Sequence, residues 1–324
     1  MKGVFGFLRR HTRKVEPPLE WMLEVTNRCN LSCPMCLRDK REFLPGDMDH
    51  RFIHDLFEHN PPPTALWPYG YGEPLMYPHV FEVIRHAKRK GMVVSLSTNG
   101  TYLTETVGRE LLSTGLDYLI LAFDGATSKT FSKFRKGADF NQVKANADRF
   151  IDLKVENKSP LHLTVQMILM RGTAHEVSAF KKLWTRSGVD CVRIREDLMK
   201  YRNATKPEET SPPHRPCFFL WRGPLFVQAG GTMIPCPYYH GSKPFADLRS
   251  STVDEAWNSD KMVELRQAHV TGDLSRFPIC AACPRHQPNR MLAAASFFIG
   301  TRSIRRYLPI LETIQTRLGL KLFE

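Results

Sequence analysis

From residue 21 onward, short apolar runs alternate with longer stretches in which apolar residues recur every three or four positions. The runs Trp21–Thr26, Ala65–Gly70, Val93–Thr98, Tyr118–Phe123, His162–Leu169 and Cys191–Arg195 predict strands. Helical spacing covers His79–Lys90, Glu105–Ser113, Asn141–Glu156 and Glu176–Arg186, with Gly91 and Gly188 as stops. This alternation, from about 21 to 197, implies parallel strands joined by right-handed crossovers. Six strands predict a partial (β/α)6 barrel rather than a closed eight-stranded one. In such folds chemistry sits at the carboxyl ends of the strands. Those ends carry the Cys29–Cys36 loop, Tyr71-Gly72-Glu73-Pro74, Thr98-Asn99-Gly100, Asp124-Gly125 and Glu196-Asp197.

The pattern changes outside this region. Residues 1–16 are a basic lead-in, with Phe5, Phe7 and Leu8 beside Arg9, Arg10, Arg13 and Lys14. The barrel is expected over 17–199 and a Pro- and charge-rich linker over 200–216. A small cysteine-bearing module follows over 217–290, with one helix predicted at Val253–His269. Residues 291–324 form a basic amphipathic tail, where Ile304, Leu308, Leu311, Ile314 and Leu318 keep helical spacing among arginines.

Composition narrows the class. The chain has 324 residues, 42% hydrophobic and 24% charged, which suits a folded globular protein and excludes wholesale disorder. No apolar run reaches the length of a membrane span, and the amino end lacks signal-peptide order, so a cytoplasmic protein is expected. A net charge of +13 favours anionic partners. An acidic electron donor such as a flavodoxin or ferredoxin fits, as does peripheral contact with an anionic membrane through the two basic ends. No nucleic-acid module is recognisable and no nucleic acid is expected.

Eight cysteines change the picture most. In a reducing compartment their clustering argues for metal rather than disulfides. Cys29, Cys33 and Cys36 follow the first strand with C-x3-C-x2-C spacing. Three thiolates on a four-iron cluster leave one iron open for a further ligand, as three protein ligands leave a catalytic zinc open. A zinc knuckle is the competing explanation, but zinc prefers four ligands, often as paired C-x2-C units. Cys217, Cys236, Cys280 and Cys283 form a second, four-thiol set that suits either a saturated [4Fe–4S] cluster or structural zinc. Cys191 lies inside a strand and reads as core. Twelve histidines are scattered without metal-ligand spacing. His79 and His162 read as structural, and His214, His240 and His286 flank the second thiol set without an assigned role.

The motifs together resemble the radical SAM superfamily over about 20–200. Tyr71-Gly72-Glu73-Pro74 resembles its GGEP segment, with Tyr71 replacing the first glycine, and Ser97-Thr98-Asn99-Gly100 its ribose-contacting TNG segment. Leu121–Gly125 resembles the S-x-DG segment of its peptide-modifying branch, with Ala122 replacing the serine. Met35 takes the place of the long apolar or aromatic residue within the cysteine loop. Cys217, Gly231-x4-Cys236 and Cys280-x2-Cys283 resemble a SPASM domain in its shortened, single-cluster "twitch" form. The resemblance implies a radical SAM barrel with a C-terminal auxiliary-cluster module. It also implies S-adenosylmethionine on a [4Fe–4S] cluster held by Cys29, Cys33 and Cys36, near Gly72, Glu73, Pro74, Ser97, Asn99 and Asp124, with Glu73 close to the methionine ammonium. The auxiliary [4Fe–4S] cluster would relay or accept electrons. The implied reaction is hydrogen abstraction by a 5′-deoxyadenosyl radical, leading to oxidation or bond formation on a peptide or a small sugar- or alcohol-like metabolite. No separate peptide-recognition segment precedes the barrel, which counts against the peptide. Two alternatives stay open: a membrane-surface enzyme acting on a lipid or lipid-linked precursor, and a non-enzymatic zinc protein.

Overall fold

The computed structural model describes residues 2–38, 46–196, 216–239 and 243–283. Asp197, His214, His240, His286, nearly all of the expected linker and the expected tail over 291–324 lie outside the described residues.

In chain order the elements are α1 (Lys2–Leu8), β1 (Glu20–Leu23), α2 (His50–His59), β2 (Ala65–Trp67), α3 (Val80–Arg89), β3 (Val93–Thr98), α4 (Glu105–Ser113) and β4 (Tyr118–Ala122). Then come α5 (Ser128–Phe134), α6 (Phe140–Glu156), β5 (His162–Leu169), α7 (Val177–Trp184), β6 (Cys191–Glu196) and α8 (Phe219–Arg222). The last are β7 (Leu225–Val227), β8 (Thr232–Ile234), β9 (Ala246–Asp247), α9 (Val253–Trp257), α10 (Asp260–Thr271) and α11 (Pro278–Ala281).

All six predicted strands are present, and β3, β5 and α4 take the predicted bounds. The described residues divide into two compact units, each drawn from more than one stretch of chain. One unit gathers the described parts of 23–50 and 66–197, the other those of 1–22, 51–65 and 198–324.

In the first unit, β2 to β6 lie side by side in sequence order. Strands β3 to β6 pair in parallel, with Thr98 opposite Leu121, Leu121 opposite Val165 and Val165 opposite Val192. This register brings their carboxyl ends to one edge of the sheet. Helix α3 forms because Val80, Val83, Ile84 and Ala87 share one buried face. Glu82 sits in its first turn and His86, Lys88 and Arg89 in its last, as the helix dipole favours. Caps fix the other starts: Thr104 Oγ1 accepts from Val107 N (3.4 Å), and Asp139 Oδ1 from Gln142 N (2.7 Å). Phe123 locks the core behind the strand ends, with its ring 4.5 Å from Phe131 and 4.8 Å from Trp184. Cys191 is buried in β6, as expected of a core residue.

In the second unit, β7 and β8 form an antiparallel hairpin, with Phe226 opposite Ile234. Its turn needs Gly231, whose φ is +82°. Strand β9 pairs with β8. The one helix predicted over Val253–His269 is two, α9 and α10. Asn258 is drawn off the helical course by Val15, whose N–H donates to Oδ1 (2.8 Å) and whose carbonyl accepts from Nδ2 (2.9 Å). Ser259 is extended, with ψ 156°. Residues 51–65 join this unit through contacts such as Asn60 Oδ1 accepting from Val253 N (2.8 Å) and Phe57 packing on Trp21. A buried Arg222–Glu20 ion pair (3.0 Å) holds α8 to β1.

Candidate active site

The three-cysteine loop is closed at its base before it is decorated. Thr26 bridges Asp47 in antiparallel fashion, and Asn27 Oδ1 accepts from Gly46 N (2.7 Å). Arg28 pairs with Asp47. Within the loop, Cys36 N donates to Cys33 O (2.9 Å), making a tight turn at Pro34-Met35. The Arg38 guanidinium ties the loop down by donating to Cys29 O (2.9 Å) and Leu31 O (3.0 Å). Its backbone N–H points at Cys36 Sγ (3.4 Å). Cys33 is buried, whereas Cys29, Met35 and Cys36 are half-buried. Burial pushes the Cys33 thiol up to about 11, opposed by Arg135 and reinforced by Cys36 and Cys29. Burial likewise raises Cys29. The three sulfurs thus lie within electrostatic reach of one another, where three thiolates without a cation would repel.

The next turn comes in very close. A Cβ on Gly72 would lie 2.2 Å from Thr26 O and 2.7 Å from Arg28 O, so only glycine fits. Glu73 N donates to Arg28 O (2.8 Å), and Pro74 opens a one-turn helix after it. The buried Glu73 carboxylate accepts from Thr98 Oγ1 (2.7 Å), Asn99 N (2.7 Å) and Leu75 N (3.2 Å). Burial drives its pKa up against the pull of those bonds. Its oxygens therefore bind the ends of β2 and β3 together. Asn99 Nδ2 donates to Asn30 Oδ1 (3.0 Å) and lies 3.8 Å from Cys29 Sγ, so this side chain borders the thiols directly. Ser97 is half-buried on β3.

Asp124 is buried at the end of β4. Its Oδ1 accepts from Ile168 N (2.6 Å), and Oδ2 faces Arg135 Nη2 (2.6 Å). Burial opposes charge on Arg135, but Asp124, Cys33 and Cys36 outweigh that and raise its pKa. The structure thus brings Cys29, Cys33, Cys36, Gly72, Glu73, Asn99 and Asp124 to one end of the sheet. Arg38 and Arg135 were missed by sequence reasoning. Arg38 stands two residues past the last loop cysteine, a signal that could have been used. Arg135 is reached only through the fold, at the end of a helix the apolar pattern did not reveal.

The second thiol set converges from three segments: Cys217 before α8, Cys236 after β8, and Cys280 and Cys283 one turn apart around α11. Burial raises the Cys280 thiol first, and Cys236, Cys217 and Cys283 add to it. Cys217 N donates to His269 Nδ1 (3.4 Å). Cys280 and the three thiols within its electrostatic reach suit a saturated iron–sulfur cluster, with structural zinc as the competing occupant.

Comparison with known families separates the two. The radical SAM superfamily model matches residues 23–181, and an iron–sulfur cluster-binding domain, SPASM, matches 217–284. The chain carries a radical SAM domain. Its cofactors are therefore a [4Fe–4S] cluster, S-adenosylmethionine and an auxiliary iron–sulfur cluster, and the donor sets above fit them. The chain is 37% identical over 105 residues to a tungsten-containing aldehyde ferredoxin oxidoreductase cofactor-modifying protein of Pyrococcus furiosus, covering 32% of this chain and 30% of that protein. The chain spans about a third of the length of that relative and of several others it matches. A PqqA peptide cyclase of Gluconobacter oxydans is 23% identical over 75% of this chain and 77% of its own. The radical SAM fold extends to solved structures. BtrN in complex with AdoMet and 2-DOIA superposes with a TM-score of 0.55 at 17% identity, over 84% of this chain and 94% of that one. SuiB of Streptococcus suis bound to its precursor peptide SuiA gives 0.60 at 10%, over 81% and 69%. Among the described residues no helix is long and apolar enough to cross a membrane.

Proposed function

We propose that Cys29, Cys33 and Cys36 hold the [4Fe–4S] cluster that takes S-adenosylmethionine, and that the chain uses it to abstract hydrogen from a peptide. The observation that carries this is the convergence of the three thiols with the Gly72, Asn99 and Asp124 strand ends at one edge of the sheet. When bound, the reduced cluster and S-adenosylmethionine supply a 5′-deoxyadenosyl radical.

The chain's own residues prepare the place. Arg38 fixes the loop carbonyls, so the thiols are presented in one arrangement. Gly72 lets the second strand end approach the loop backbone, and Pro74 stiffens the turn behind it. Glu73 is engaged by three donors of the chain, so it acts mainly by fixing the Asn99 backbone. Ser97 and Asn99 are the groups proposed for the nucleoside side of the cofactor, and Asp124 for holding Arg135 beside the thiols. Cys217, Cys236, Cys280 and Cys283 are proposed to hold the auxiliary cluster as an electron relay or acceptor. An acidic donor protein fits the net charge of +13.

The peptide assignment is supported by the PqqA peptide cyclase likeness, which spans three quarters of both chains. A second reading, a small sugar- or alcohol-like substrate, is supported by BtrN, nearly all of which is covered. Anaerobic turnover with deuterated candidates separates them. Deuterium passing from a peptide into 5′-deoxyadenosine supports the proposal, and transfer only from small alcohols or sugars replaces it with the second reading.

A further inference from the structure

We propose that His50, His79 and Glu82 form a binding site for one divalent transition-metal ion of the zinc type, separate from both thiol sets and independent of the radical chemistry. His50 opens α2, His79 caps α3, and Glu82 lies one turn into α3. Residues three apart share a helix face, so His79 and Glu82 present their donors together. His50 arrives from a separate segment.

The donors already converge. His50 Nε2 and His79 Nδ1 each lie 3.3 Å from Glu82 Oε2. All three ligand atoms fall within 4.8 Å of one another, and the two imidazole rings stand 4.4 Å apart. A charge-assisted N–H···O bond prefers about 2.7–2.9 Å. Donors on a tetrahedral ion with bonds of about 2.05 Å stand about 3.3 Å apart, the separation seen twice here. Both imidazoles face the same Glu82 oxygen at a distance longer than a charge-assisted bond. A dication between them satisfies all three at once.

The arrangement does not depend on the ion. Tyr77 donates from its hydroxyl to Met48 O (2.9 Å), and its ring meets His79 edge-on at 5.7 Å. Met48 N in turn donates to Val25 O (2.8 Å). These bonds seat the 48–50 segment against 77–82 before any ligand arrives. The three side chains are 38%, 44% and 61% exposed, so an ion reaches the site from solvent. Two imidazoles and one carboxylate suit zinc, cobalt or nickel better than calcium or magnesium, and a three-ligand set leaves a position for water.

The test uses the cluster-loaded protein, so that the cysteines are occupied, titrated anaerobically with Zn2+. One zinc per chain is expected, with Glu82→Gln and His79→Ala each weakening it at least about tenfold. His59→Ala, at a ring that bonds to Asp55 O at 2.9 Å and lies outside the three-donor group, serves as the control and should leave binding unchanged. Iron content reports whether each variant is folded. On the wild type alone, Zn2+ should protect His50 and His79 from carbethoxylation as read by mass spectrometry. Absence of zinc binding, binding unchanged in both variants, or unprotected His50 and His79 in the zinc-loaded wild type overturns the proposal.

Discussion

A methyl group at position 72 would lie 2.2 Å from a backbone oxygen that cannot move without shifting the cysteine loop. Gly72→Ala should therefore destabilise the protein by about 3 kcal/mol, at the upper end for overpacking. A lower thermal midpoint and lost binding of S-adenosylmethionine are the measurements. The thiols make a second prediction. Burial pushes Cys33 up to about 11, so below that pH the metal-free thiol keeps its proton. Iron must displace that proton, so each unit of rising pH between 7 and 9 should favour uptake about tenfold for this thiol alone. Reconstitution followed at pH 7 and at pH 8.5 checks the sign: assembly should be more complete at the higher value. At this scale the sequence was informative where chemistry is carried by rare residue types. The cysteines, Gly72 and Asp124 were all visible in it. The hydrogen bonds of Glu73 were not, because its three donors come from Leu75, Thr98 and Asn99 and meet it only after folding. The His50–His79 pairing was hidden for the same reason, being 29 positions apart.

Elements were legible where apolar periodicity was long. Strands β3 and β5 and helix α4 were predicted to the residue. Helix α5 escaped because, in so short a helix, only Phe131 is buried, which gives no periodic signal. Helix α2 escaped although Ile53, Leu56 and Phe57 have helical spacing and it stands between β1 and β2, since three apolar positions among ten residues make a short signal. The α9–α10 break depends on Val15, far away in sequence, and no local pattern could show it. Helix α9 starts with a full capping box, in which Glu255 N donates to Thr252 Oγ1 (3.2 Å) and Thr252 N to Glu255 Oε2 (2.8 Å). Thr252→Ala should lower stability by about 1 kcal/mol. Urea unfolding should show a shifted midpoint at unchanged slope.

For the whole molecule, chain order and compact units do not coincide. Residues 51–65 sit in sequence within the strand–helix series yet join the unit that carries the second thiol set. Apolar pattern records burial without recording against what. Cofactor content is the property of the whole chain most exposed to test. With two [4Fe–4S] clusters the protein should hold about eight irons, and Cys29→Ala/Cys33→Ala/Cys36→Ala should hold about four. The decisive measurement is anaerobic incubation of both proteins with S-adenosylmethionine and dithionite, quantifying 5′-deoxyadenosine. The wild type should form it and the triple variant should form none while keeping its auxiliary iron. Equal 5′-deoxyadenosine from both, or none from iron-replete wild type, would contradict the assignment of these three thiols.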